Sequence, residues 1–133
     1  GSTSDYFFGN DPLQLCQFAN VADQSVKQSY SDWQVLDCDD GMVRVSPVGQ
    51  LAANPFGLYD IYGNVSEWVS DCGMESYQKA RRDGLPTEEG VGCATHGFRG
   101  GSWDSGAAEA KSVYRNSASS AIDDRGIRIA RDL

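Results

Sequence analysis

The chain has 133 residues, enough for one domain with a buried core. Hydrophobic residues make up 40% and aromatic residues 11%, which argues against disorder, and no apolar run approaches the roughly 20 residues of a membrane helix. The formal charge of −8 disfavours nucleic acid as a partner, since phosphate contacts need clustered Lys and Arg.

The opening Gly1-Ser2-Thr3-Ser4 is neither a signal peptide nor an obvious domain start, so it says nothing of where the protein resides. Residues 12–22 are the best helical window, with Leu13, Leu15, Cys16, Phe18 and Ala19 on one apolar face. Residues 28–36 are ambiguous. Residues 42–48 alternate around Val43 and Val45 and read as a strand. A second strand, 66–69, leaves a Gly63-Asn64 turn, and a third, 126–130, alternates Ile127 and Ile129 with Arg128. Residues 73–92 are polar and charged, a long surface excursion tied down by Cys72 and Cys93. The pattern predicts a mixed, loop-rich α+β domain with little regular structure. Such a domain needs something to organise its backbone, and calcium is a candidate because loop carbonyls and carboxylates are its natural ligands.

Cysteines at 16, 38, 72 and 93 allow three full pairings, and sequence alone does not choose among them. The C-x-x-C pairs of zinc and redox sites are absent. Joining Cys16 to Cys38 and Cys72 to Cys93 gives two similar loops, each bridge worth roughly 2–4 kcal/mol. Bridges would place the domain outside the cytoplasm, whereas four buried thiols would suit a cytosolic protein.

Asp37, Asp39 and Asp40 are grouped, which suits a hard cation or simply a solvated acidic face. In residues 54–68 (NPFGLYDIYGNVSEW), Asp60 and Glu67 flank the Gly63-Asn64 turn at a spacing that can wrap one hard cation. Phe56, Tyr59, Tyr62 and Trp68 are expected to pack as core around it. The alternative is that both acids merely serve the turn. Asn64-Val65-Ser66 also reads as a glycosylation sequon, but a tight turn would bury it.

The same segment, preceded by Pro47-Val48-Gly49 and followed by RGGSW at 99–103 and DRGIRIAR at 124–131, resembles the formylglycine-generating enzyme (sulfatase-modifying factor) family. The resemblance runs from about Phe8 to the C-terminus. It implies an α+β, C-type lectin-like fold, with 1–133 a single domain that forms the C-terminal portion of a longer one. The N-terminal part of that longer domain would then be a partner. It also implies two calcium sites. The first uses Asn20, the carbonyl of Val21, Asp40 and the carbonyl of Met42; the second uses Asp60, the carbonyls of Gly63 and Val65, and Glu67. The family's oxidase chemistry holds copper(I) through two cysteines, because a soft metal needs soft thiolates. Counted from Gly100-Gly101-Ser102, those positions are Ser105 and Ala110, so neither copper nor a catalytic residue is expected. Enzymes of similar fold include ergothioneine sulfoxide synthases, with iron-binding histidines on an additional domain, and proteins of siderophore maturation. His96, the single histidine, reads as a surface or packing residue.

The chain is similar as well to variable proteins of diversity-generating retroelements and to inactive regulatory or adhesion copies. In these, the stretch between RGGSW and the final strand forms an exposed, adaptable face. Here it is 104–124, small and polar with Tyr114 as its aromatic, a paratope-like composition. Ligand contact is expected at Asp104, Ser105, Tyr114, Asn116, Ser117, Ser119, Asp123 and Asp124. Arg99, Arg115, Arg125 and Arg128 are expected to pair with core acids. The expected whole is a non-catalytic, calcium-stabilised domain of a bacterial or phage protein outside the cytoplasm. It would recognise a protein or a small molecule, without nucleic acid or membrane insertion. The alternative is an enzyme of different chemistry with a pocket near Ser105.

Overall fold

The structure is a computed structural model that describes residues 3–73, 76, 78, 83, 86 and 92–130. Its first helical segment is set by Asp11, whose carboxylate accepts the Leu13 N–H at 3.1 Å, and by Pro12 with its fixed φ. The result is a short 3-10 helix, Pro12–Gln17, closed by Phe18. The expected helix to residue 22 does not form, because residues beyond Phe18 are drawn elsewhere. The Val21 N–H donates to Asp40 at 2.9 Å and the Asn20 side chain donates to the Arg44 carbonyl at 2.9 Å. Helix α1, Gln24–Lys27, follows, capped by Asp23 accepting from the Ser25 N–H at 2.8 Å.

The described strands are β1 (Ser66–Cys72), β2 (His96–Arg99), β3 (Asn116–Ala118) and β4 (Arg125–Gly126), in the spatial order β3-β2-β1-β4. β2 runs antiparallel to both β1 and β3, while β4 runs parallel to β1. Trp68 stands opposite Phe98 and their rings meet edge to face at 5.8 Å. Residues 42–48, expected as a strand, pair with side chains instead. The Ser46 N–H donates to Asn64 Oδ1 at 2.9 Å, and Asn64 Nδ2 donates to the Ser46 carbonyl at 3.1 Å. Among the described residues of the C-terminal end only Arg125–Gly126 pairs, which leaves Ile127 and Ile129 74% and 85% exposed.

The core gathers Tyr6, Leu15, Ala19, Val21, Tyr62 and Ala110. Tyr6 stacks on Phe8 and meets Tyr62 edge-on, while Phe7 packs on Phe18, so the N-terminal aromatics seal one end. Of the aromatics expected around the signature turn, Tyr62 is buried and Trp68 half-buried, but Phe56 is 86% exposed and Tyr59 46%. Asn54 is the cause: its Oδ1 accepts the N–H groups of Phe56 and Leu58, a side-chain turn that carries 55–59 outward.

All four cysteines are bridged, Cys16 to Cys38 and Cys72 to Cys93, with Cα–Cα distances of 6.0 and 5.3 Å. The excursion expected at 73–92 lies largely outside the described residues. Among the described residues no helix is long and apolar enough to cross a membrane.

Candidate functional site

The Gly63-Asn64 turn is the junction from which the sites are built. Gly63 has φ 69°, and a Cβ there would lie 2.1 Å from the Asn20 carbonyl oxygen, so glycine is required. Its N–H donates to the Gly100 carbonyl at 2.8 Å, and the Asn64 N–H donates to the Asn20 carbonyl at 2.7 Å. The Asn64 carbonyl in turn accepts from the Trp103 N–H at 3.0 Å. Three other segments, at 20, 46 and 100–103, therefore meet at these two residues. Asn64 is 2% exposed with its side-chain amide engaged, which removes the sequon as a modification site.

The first donor set lies beside this turn. Asn20 is fully buried, and its Nδ2 faces the Arg44 carbonyl, Ser46 Oγ and Asn64 Oδ1 at 2.9, 3.3 and 3.4 Å. Those acceptors fix the amide orientation, and Asn20 Oδ1, on the other side, is buried without a hydrogen-bond partner. The Asp40 carboxylate accepts from the N–H groups of Val21 and Met42 at 2.9 and 2.7 Å, so it sits on the two residues whose carbonyls would complete the set. Asp23, also buried, accepts from the Asp40 N–H. Burial pushes both carboxyls up, Asp40 to about 7. An orphaned amide oxygen on Asn20, with the half-buried Asp40 carboxylate held by the adjacent Val21 N–H, is hard-donor chemistry that fits calcium. Asp23 was missed in the sequence; its signal was a helix-capping Asp three residues after Asn20.

The second donor set is brought together on a groove of about 510 Å³ lined by Asp60, Val65, Glu67 and Arg128. Here the arrangement differs from the expectation. Arg128 Nε donates to both Glu67 oxygens at 3.0 Å, and Nη2 approaches Glu67 Oε1 at 2.6 Å. The same Nη2 donates to the carbonyls of Tyr59 and Asp60 at 2.9 and 3.2 Å, while Asp60 Oδ2 accepts from the Gly49 N–H at 2.7 Å. The hydrogen bonds to Glu67 hold the Arg128 guanidinium above its usual range. This set is closed around a guanidinium and, so arranged, does not fit a metal ion.

The third region surrounds Gly101, whose φ is 71°. A Cβ on Gly101 would lie 3.2 Å from Ser105 Cβ and 3.4 Å from Ala110 Cα, so positions 105 and 110 adjoin across it. Ser105 Oγ accepts the Ser102 N–H at 2.9 Å, and Ala110 is fully buried in the core. A cavity of about 360 Å³ opens beside Ser105 and takes in Asp104, Tyr114, Asn116 and Asp124. Ser117, Ser119 and Asp123 do not line it, but all three are exposed. Sequence reasoning missed the walls supplied by the sheet: Ser66, Phe98, Arg99 and Arg125.

Of the arginines expected to pair with acids, Arg128 does so through Glu67, while Arg99 and Arg125 also reach backbone carbonyls. Arg99 Nη1 donates to the Tyr114 carbonyl at 3.0 Å. Arg125 Nη1 donates to the Ser120 carbonyl at 2.9 Å, and its guanidinium lies 4.4 Å from the Phe98 ring centroid. Arg115 is half-buried. Asp124 has a buried Oδ1 without a hydrogen-bond partner, and burial raises its carboxyl. His96 is exposed on β2, opposite Cys72.

The sparse mixed sheet, the loop-borne oxygen donors and the Gly-Gly cavity define an α+β domain of the C-type lectin-like kind. Residues 1–133 match the sulfatase-modifying factor enzyme 1-like domain, and the chain belongs to that family. It is similar to PvdO from Pseudomonas aeruginosa, with 33% identity and a TM-score of 0.61 over 77% of this chain and 34% of that one. It shares the fold of Treponema denticola variable protein 1, with 21% identity and a TM-score of 0.68 over 96% of this chain and 40% of that one. A stretch of 72 residues is 32% identical to the serine/threonine-protein kinase pkn1 of Chlamydia caviae, covering 53% of this chain and 12% of the kinase. The chain thus spans well under half the length of each of these relatives.

Proposed function

We propose that this chain is a calcium-stabilised recognition domain that does not perform the family's copper oxidase chemistry. The observation that carries the reading is the pair of positions joined across Gly101. They hold a hydroxyl, Ser105, and a buried methyl, Ala110, while every cysteine of the chain is in a bridge. Neither position supplies a thiolate, and copper(I) has no suitable donor there. The cavity beside Ser105 then receives a ligand. Tyr114 supplies an aromatic anchor, and Asn116, Ser117 and Ser119 supply adaptable hydrogen bonding around it. The fold likeness to Treponema denticola variable protein 1 supports a role as a variable binding protein. Calcium belongs to the first donor set, through Asn20, Val21, Asp40 and Met42. The two disulfides support a location outside the cytoplasm.

A metal assay and a pull-down test this together. Substoichiometric copper and iron, with a partner captured by the native chain and lost on Tyr114→Ala, would support recognition. Stoichiometric copper or iron in the purified protein would sink it. The second reading, an enzyme of different chemistry in the same cavity, is favoured by the 33% identity to PvdO. It would gain ground if Ser105→Ala abolished turnover of a small molecule without changing stability.

A further inference from the structure

We propose that Arg128 replaces the second calcium ion, its guanidinium clamping Glu67 to the 59–60 loop, so that this chain binds one calcium and not two. The proposal rests on the calcium reading of the first donor set. A calcium ion at Asp60 and Glu67 would serve to neutralise the carboxylates and to fasten the loop before the Gly63-Asn64 turn onto β1. Arg128 already does both. Its planar fork takes both oxygens of Glu67, and the Nη2 that meets Glu67 also holds the Tyr59 and Asp60 carbonyls. A metal ion seeking Glu67 would have to break that bidentate pairing and leave the guanidinium without its carboxylate.

The backbone delivers Arg128 to this spot. β4 lies parallel to β1 with Gly126 opposite Glu67, which places Arg128 just beyond the paired residues. That approach depends on glycine, because a Cβ on Gly126 would come within 2.8 Å of Val65 Cγ2. A fixed side-chain cation is present at every calcium concentration. The loop leading into the turn is therefore fastened permanently, while the Asn20–Asp40 set responds to calcium.

The experiment is calcium titration of the whole chain by calorimetry, with native mass spectrometry to count bound ions. The native chain is expected to take one equivalent, Asp40→Asn none, and Arg128→Gln one more than the native chain. Two equivalents in the native chain, one retained by Asp40→Asn, or no gain in Arg128→Gln would each overturn the proposal. If Arg128→Gln fails to fold, the counts for the native chain and Asp40→Asn decide alone. A native chain that binds none while Arg128→Gln binds one would sink the first-site reading and leave Arg128 in its assigned role.

Discussion

Asn64 donates its backbone N–H to the Asn20 carbonyl at 2.7 Å, while its side-chain Oδ1 lies 3.4 Å from Asn20 Nδ2. Two buried amides thus bind one another through both main chain and side chain, and both also reach the 44–46 segment. Asn64→Ala should cost about 2–4 kcal/mol. It strands the Ser46 N–H and carbonyl and puts alanine where Asn64 holds φ at 60°. Urea unfolding checks this, and Asn64→Gly should recover only the backbone share. A loss below about 0.5 kcal/mol would show that the turn does not organise these loops.

Calcium removal should lower the melting midpoint, because an ion that binds only the folded chain stabilises it by mass action. Chelator is expected to depress the native midpoint by several degrees and to leave Asp40→Asn unchanged. An identical midpoint with and without chelator would remove calcium from this molecule altogether.

Asp124 gives a pH signature. Burial raises its carboxyl above the ordinary 3.8, so the folded state holds the proton more tightly than the unfolded chain. The resulting stability is complete below pH 3.8 and is lost as pH rises through the higher folded value. Asp124→Asn keeps the shape and removes the titration. Measured by urea at pH 3 and pH 7, the variant should gain on the native chain between the two. A constant difference would contradict the burial argument.

The two disulfides close spans of 22 and 21 residues, so loop entropy predicts nearly equal contributions, about 3 kcal/mol each. Paired Cys→Ser replacements at 16 and 38, and at 72 and 93, should destabilise by similar amounts in urea. A much larger loss at 16 and 38 would mean that the bridge also packs, since Cys16 lies in the core cluster.

What the sequence made legible was local. The Gly63-Asn64 turn and the strand after it announce themselves through adjacent residues, and the family motifs carry the fold. The strand expected at 42–48 failed for a non-local reason. Its alternation is real, but the polar backbone is met by Asn20 and Asn64, 18 to 26 residues away in sequence. No hydropathy pattern records a side-chain amide acting as a neighbouring strand. Phe56 and Tyr59 were misjudged because aromatic character was read as burial, while the Asn54 turn faces them outward. In the candidate sites, Asn20 and Asp40 follow from the family resemblance, but the Arg128–Glu67 clamp joins positions 61 residues apart and had no local sign.

Successive residues of a strand point to opposite faces. Ser66 lines the cavity beside Ser105, and its neighbour Glu67 lines the groove that Arg128 closes. β1 is therefore a partition wall between an open cavity and a bolted joint. Six of the cavity's residues come from positions 104–116, while the joint draws on 59, 60, 67 and 128. Substitutions can therefore accumulate on the cavity side of β1 without loosening the bolt on the other.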